Sequence, residues 1–352
     1  MTGPPEARLQ AVGSARAPQP RDEPLLQHNG GVPTDGLQRI IVVPRNGYAN
    51  RLQAWASATA LGQRLGVPVE LLWAPQAIAP APAELLFDSQ LVDQLGVELD
   101  EVTALIGTTD LDEPTYLTRV PSTDTLILSG DDRGEQAFMA ELLSELARPP
   151  APRVLVLIAG GHFHLAGTRD PAADRRAFYR ALPWSQQVTE LVEDATAQHP
   201  GPYIALHLRG TDRSVTAPRS SAVHRAVRTL AERTGIEQLF IAADTSQARD
   251  AWQQAEGAGP LQPWWVEHDS FDRSQDAAAI GALVDWILLG RASGLVYPSA
   301  SSFGHEAAVA MGDRGPSLGL SAPRITQRAR QASTFAGNGW RRLRRTVSRQ
   351  AT

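Results

Sequence analysis

Tyr203-Ile204-Ala205-Leu206-His207-Leu208-Arg209-Gly210-Thr211-Asp212 is the stretch on which the reading of this chain turns. A short apolar run, bounded by Pro202 and followed by polar residues, predicts a buried strand of a parallel sheet. In open α/β sheets ligands bind in the crevice outside the carboxyl ends of the strands. The residues that close this strand therefore stand where a ligand would be. His207 and Arg209 share one face by the strand's period of two, and Asp212 follows in the loop. Arginine brings a permanent charge and a forked set of donors suited to a diphosphate. The other reading of the same residues is an Arg–Asp pair that pins a surface loop.

The bulk of the chain bounds what such a site can do. At 352 residues it is long enough for two domains with cores of their own. An apolar content of 42% with 20% charged residues describes a soluble globular protein. The net charge of −5 argues against general nucleic-acid binding, which rests on clustered basic surface. All 33 basic residues are arginine. The absence of lysine excludes a Schiff-base or pyridoxal phosphate lysine and a Walker A loop. Without cysteine there is no disulfide, thiolate nucleophile or Cys-ligated zinc. No stretch approaches the ~20 continuous apolar residues of a membrane span. Pro4, Pro5, Pro18, Pro20 and Pro24 interrupt an N-terminus that lacks the apolar core of a secretory signal, so the expected location is cytoplasmic.

Upstream of the key stretch, residues 1–36 are rich in Pro, Gly, Gln and charge and read as a disordered leader. Leu37 to Val43 predicts a buried strand, running into Pro44-Arg45-Asn46-Gly47-Tyr48-Ala49-Asn50-Arg51. A helix follows with Leu52, Trp55, Ala56, Thr59 and Leu65 apolar or small, stopped by Gly66-Val67-Pro68, and Val69 to Trp73 is a second strand. In the loop, Gly47 supplies backbone freedom and Asn50 a helix cap or a ligand amide. Arg51 puts positive charge at a helix N-terminus, which the helix dipole disfavours unless an anion binds nearby. An ordinary turn with an exposed arginine fits the same residues.

Further strands are expected at Thr125–Leu128 and Val154–Ala159, with helices within Glu84–Leu95, at Glu135–Ala147, and over Asp174–Gln198 with a break at Pro183. His162-Phe163-His164 has the look of a metal motif, but two histidines without a third ligand more often line a loop. A domain boundary is placed near Pro200, giving an N-terminal domain over 37–199 and a C-terminal one over 200–320. Within the latter, helices over Ser220–Gly235 and Asp276–Ala292 alternate with strands at Gln238–Ala242, Trp264–Val266 and, last, Gly294–Tyr297. Another helix is capped by Asp244-Thr245-Ser246, and a final one starts near His305. This alternation argues for a parallel sheet covered on both faces. Residues 321–352 form a segment of doubtful order with the basic tail Arg341-Arg342-Leu343-Arg344-Arg345.

Two further features point toward the crevice at Arg209. Asp285 is the only charge inside Ala277–Leu289, a helix apolar nearly all round and therefore buried. A buried carboxylate needs a committed partner, either a protein arginine or the N–H groups of a nucleotide base. Ser299, Ser301 and Ser302 lie between a strand and a helix N-terminus, where hydroxyls, backbone N–H groups and the dipole together make an anion site or, more simply, a serine N-cap. No GxGxxG follows the first strand, which weakens a dinucleotide dehydrogenase.

YIALHLRGTD (Tyr203–Asp212) resembles the HxRxTD-type motif of the fucosyltransferase superfamily that includes α1,6-fucosyltransferases, nodulation fucosyltransferases and protein O-fucosyltransferases. LVDWILLGRASGLVYPSASS (Leu283–Ser302) is similar to its later motif, in which a helical Asp precedes a Ser-rich loop. Gly47 to Arg51 resembles its Gly-x-x-Asn loop, and FIAAD (Phe240–Asp244) the strand-plus-Asp between the two C-terminal motifs. The ordered set spans Leu37 to Gly312. The resemblance implies an α/β, GT-B-like fold of two facing Rossmann-like domains with parallel sheets. It implies an inverting, metal-independent fucosyltransferase, with a GDP-sugar such as GDP-fucose as donor substrate, no cofactor, and an acceptor that is a carbohydrate, peptide or small molecule. By position, Arg209 would be catalytic, binding the diphosphate and stabilising its leaving charge. His207 and Asp285 would contact the guanosine, Ser301 and Ser302 the phosphates, and Gly47, Asn50, Arg51, Asp212 and Asp244 complete the donor site. The chain departs from some relatives at Arg213–Arg219, which holds no glutamate to act as base. Asp212 or Glu267-His268-Asp269 could serve instead, the leaving phosphate could take the proton, or the protein could bind a nucleotide sugar without turning it over.

Overall fold

Strand and helix alternate along the chain as the apolar runs predict, and they do so twice. The computed structural model describes residues 36–109, 111, 117–129, 135–165, 168–210, 220–254 and 260–321. The leader, the basic tail and Asp212 with the segment after it lie outside these residues.

The first half runs β1 (Arg39–Pro44), α1 (Tyr48–Leu65), β2 (Val69–Leu71), α2 (Ala83–Leu86), α3 (Ser89–Leu95), α4 (Leu99–Ile106), β3 (Thr118–Val120), β4 (Thr125–Ser129), α5 (Glu135–Leu146) and β5 (Val154–Ala159). Its sheet has the order β2-β1-β5-β4-β3, parallel except for the antiparallel edge pair β3–β4. After α6 (Pro171–Ala181) and α7 (Gln186–Gln198) come β6 (Ile204–Leu208), α8 (Ser220–Thr234), β7 (Gln238–Ala243), α9 (Ser246–Gln254), β8 (Gln262–Trp264), α10 (Asp276–Arg291), β9 (Leu295–Pro298), α11 (Ser302–Met311) and β10 (Ser317–Leu320). These strands form a second, wholly parallel sheet in the order β10-β9-β6-β7-β8. The two parallel-rich, helix-covered sheets are the α/β arrangement expected from the sequence.

Several elements differ from expectation for local reasons. β9 is not the last strand: β10 pairs with it through Ser317↔Leu295. Its Ser-Leu-Gly-Leu sequence alternates exposed and half-buried positions at a sheet edge, so no apolar run announces it. β8 covers Gln262–Trp264 rather than Trp264–Val266, and Pro263 is tolerated there because β8 is an edge strand. α11 starts at Ser302, before His305. Asn50 is not a cap: the N-cap of α1 is Gly47, and Asn50 sits inside the helix. At the other end Gly66, at φ 69°, closes α1 by donating its N–H to Gly62 O, a left-handed conformation that glycine takes at no steric cost.

The main core runs without interruption from the first sheet into the second. Phe87 packs edge to face against both Trp55 and Trp73 beside α1, the two indoles lie tilted at 59° to each other, and Trp184 stacks on Phe87. Trp184 and Tyr179 then both meet Trp286 of α10, with ring centroids 6.1 and 5.1 Å apart. Beside this seam Glu306 of α11 is completely buried and takes a forked pair of hydrogen bonds from Arg175 of α6, at 2.9 and 3.3 Å. Tyr179 O–H donates to it at 2.6 Å and His305 Nδ1 stands 2.9 Å away. Both carboxylate oxygens are satisfied, the condition under which a buried charge is tolerated.

Candidate functional site

In the second sheet the chain moves from β6 outward through β7 to β8, then crosses back to β9 and β10 on the other side. The topological switch point lies between β6 and β9, and open α/β sheets bind ligands at such a point. The carboxyl end of β6 delivers His207 and Arg209, and that of β9 leads through Ser299 to Ser301. Ser301 is the N-cap of α11 and accepts from Gly304 N at 3.3 Å. Its Oγ also accepts from Arg209 Nη1 at 3.4 Å and lies 3.1 Å from His207 Nε2. With its lone pairs so engaged, the hydroxyl is free to donate to Nε2 of a neutral imidazole. Burial does most to push the His207 pKa down to about 4; Asp244 opposes this and Arg209 adds to it.

A cleft of ≈ 410 Å³ opens over these strand ends. One wall is the β1–α1 loop with the first residues of α1, Asn46 to Asn50; the other holds His207, Arg209, Asp244, Asp285, Ser302 and Phe303. Of the residues singled out in the sequence, the cleft thus brings together Gly47, Asn50, His207, Arg209, Asp244, Asp285 and Ser302. Ser301, buried behind Ser302, reaches it through His207 and Arg209. The loop wall is held firmly: Asn46, at φ 68°, turns the chain, its N–H donates to Gln76 at 3.0 Å, and its side chain reaches Gly160 O.

Arg51 does not join the cleft lining. It is completely buried behind the loop, donating to Asn46 O at 3.2 Å and Ala74 O at 2.8 Å, with its guanidinium 4.8 Å from the Trp73 ring centre. Backbone carbonyls and an aromatic face offset its charge where the sequence suggested an anion.

Asp244 accepts from Gly210 N at 2.7 Å and faces Arg273 at 3.6 Å, so it ties the β6 loop to the segment before α10. Arg273 itself lines the cleft and brings a second guanidinium, a contribution no local pattern disclosed. Asp285 is buried in α10, as the apolar helix around it required, and the partner the protein gives it is a histidine rather than an arginine. His268 Nε2 lies 3.1 Å from its Oδ2. Burial opposes a charge on His268, yet the Asp285 hydrogen bond and charge prevail and raise its pKa; burial raises that of Asp285. Of the other suggested bases, Glu267 is exposed and bonded to Arg249 at 3.1 Å, and Asp269 does not line the cleft. Among the described residues no three His, Cys, Asp or Glu side chains gather as a metal site would, His162 and His164 included, and no helix is long and apolar enough to cross a membrane.

Two Rossmann-like sheets sharing a cleft at their carboxyl ends define a GT-B-like protein. Solved structures similar to it in fold include fucosyltransferases. The apo form of POFUT1 matches with a TM-score of 0.50 at 14% identity, over 82% of this chain and 99% of that one. POFUT1 in complex with GDP-fucose gives 0.49 at 14% identity over 83% and 100%. The fucosyltransferase NodZ from Bradyrhizobium gives 0.48 at 15% identity over 77% and 92%. At such identities the likeness establishes the fold, and the apo POFUT1 match carries it. No protein-family model and no curated protein matches this sequence.

Proposed function

We propose that the chain is a glycosyltransferase, taking fucose or a closely related sugar from a GDP-sugar and passing it with inversion, without a metal ion, to a hydroxyl of a carbohydrate, peptide or small molecule. The observation that carries this reading is the meeting of Arg209, His207 and Ser301 at the switch point of the second sheet, across the cleft from Gly47–Asn50 at the start of α1.

In such a transfer the acceptor oxygen bonds to the anomeric carbon as the bond from that carbon to the β-phosphate oxygen breaks. The electron pair leaves with GDP, so negative charge grows on the diphosphate. A fixed guanidinium at Arg209, the first N–H groups of α11 and the Ser302 hydroxyl are the groups suited to receive it, and preorganised donors of this kind lower a barrier most when they meet developing charge. His207, kept neutral, adds a hydrogen-bonding ring rather than a second charge. The described carboxylates lining the cleft, Asp244 and Asp285, are both engaged by protein donors. This supports a dissociative transfer in which the departing diphosphate takes the acceptor's proton. It equally favours a second reading, a nucleotide-sugar-binding protein without turnover.

Turnover separates the two. Full-length protein incubated with GDP-fucose in chelator, over a panel of hydroxyl acceptors, is expected to release GDP and form a fucosylated product, with Arg209→Ala inactive. Tight GDP-fucose binding with no product over the panel favours the non-catalytic reading.

A further inference from the structure

The carboxylate of Asp285 is only half used. Its Oδ2 is held by His268, while its Oδ1, fully enclosed, has no hydrogen-bond partner. Buried polar atoms without partners are rare in native proteins, and this one belongs to a residue of the cleft wall. His268 is itself placed with care. Its ring lies against α10 at Gly281, one helical turn before Asp285 on the same face. A Cβ at Gly281 would stand only 2.6 Å from Nδ1, so a side chain there would displace the ring. Phe271 closes another side, edge-on at 5.6 Å. The neighbouring positions of α10 that line the cleft, Ala278, Ala279 and Ala282, are small and leave a flat floor.

We propose that His268, acting through Asp285, determines which nucleobase the cleft accepts. The inference rests on the GDP-sugar reading above. His268 fixes Oδ2, so that Oδ1 is held in place as an acceptor toward a base edge made of adjacent N–H donors. Guanine presents such an edge with its ring N–H and exocyclic amine. Adenine presents a ring nitrogen lone pair there, which a carboxylate repels. Without His268 nothing holds Oδ2, and the carboxylate is free to rotate so that Oδ1 loses its fixed place. His268 is thus a positioning residue.

The test is the ratio of GDP to ADP affinity, measured by calorimetry on the full chain, with folding followed by thermal melting. Wild-type protein is expected to prefer GDP. His268→Leu cuts that preference at least tenfold, whereas His268→Gln, which can present an amide N–H close to the position of Nε2, keeps most of it. Gly281→Ala, which displaces the ring without altering any titrating group and suits a helix better than glycine, also cuts it at least tenfold. If His268→Leu does not fold, Gly281→Ala decides alone. An unchanged ratio in folded variants, including equal weakening of GDP and ADP, overturns the inference and leaves the GDP-sugar reading standing. Wild-type protein that binds neither nucleotide overturns both.

Discussion

The Nε2 atom of His207, at the end of β6, lies 3.1 Å from the Oγ of Ser301, which caps α11 on the far side of the sheet's switch point. Ser301 thereby performs two tasks with one hydroxyl. It ends a helix, and it orients the imidazole and the Arg209 guanidinium that face the cleft.

Replacing Ser301 by alanine therefore weakens both. Loss of an N-cap side chain costs about 1 kcal/mol, and the released His207 and Arg209 no longer present a fixed surface. The expected outcome is a lower melting temperature together with at least tenfold weaker GDP binding. A drop in melting temperature alone would mean that Ser301 is only a cap. Ser301→Thr keeps the hydroxyl and should restore most of both.

Glu306 is the buried charge that joins α6 to α11. Changing it to leucine leaves Arg175 enclosed without its carboxylate, an arrangement that costs roughly 3–5 kcal/mol. Chemical denaturation of Glu306→Leu should show that loss. The double variant Arg175→Met/Glu306→Leu, which removes both charges, should recover most of it. Burial opposes the Glu306 charge, but His305, Arg175 and Tyr179 overcome it and hold the pKa near about 2. Since the folded value lies below the usual 4.5, this stabilisation is complete above pH 4.5 and is lost as the pH falls toward about 2.

His207 predicts a second acid-sensitive step at higher pH. Its folded pKa of about 4 lies below the ordinary 6.5, so between these values the unfolded chain binds more protons than the native one. Stability from this group is fully present above pH 6.5 and declines as the pH falls through about 4. The full span corresponds to roughly 3 kcal/mol at 1.36 kcal/mol per pH unit. Denaturation midpoints of wild type and His207→Asn, compared between pH 7 and pH 4, should converge as the pH is lowered. Parallel curves would contradict a buried neutral histidine.

Much of the fold was legible because parallel strands buried on both faces are continuous apolar runs. Val154–Ala159 is the strand as read from the sequence, and Gln238–Ala243 differs by a single residue. Elements at sheet edges were not legible. β3 is only three residues long and mixed in polarity, and β10 alternates serine and glycine with leucine. At the site, residues that close a strand or open a helix could be placed from sequence, which is why His207, Arg209, Asp244 and Ser302 line one cleft. Pairings made by tertiary packing could not. That Asp285 demanded a partner was visible in its apolar helix; that the partner is His268, admitted beside the helix by Gly281, was not. Arg51 shows the converse error: the charge at a helix start suggested a bound anion, but burial against the carbonyls of Asn46 and Ala74 satisfies it within the protein.

Whether Arg209 anchors the diphosphate of a guanosine nucleotide is decided by calorimetric titration of the full chain with GDP and with UDP in the presence of chelator, wild type beside Arg209→Ala. Metal-independent binding of GDP, much weaker binding of UDP, and a loss of at least tenfold in GDP affinity in the variant are expected. No binding of GDP, a preference for UDP, or GDP affinity unchanged by Arg209→Ala would contradict it.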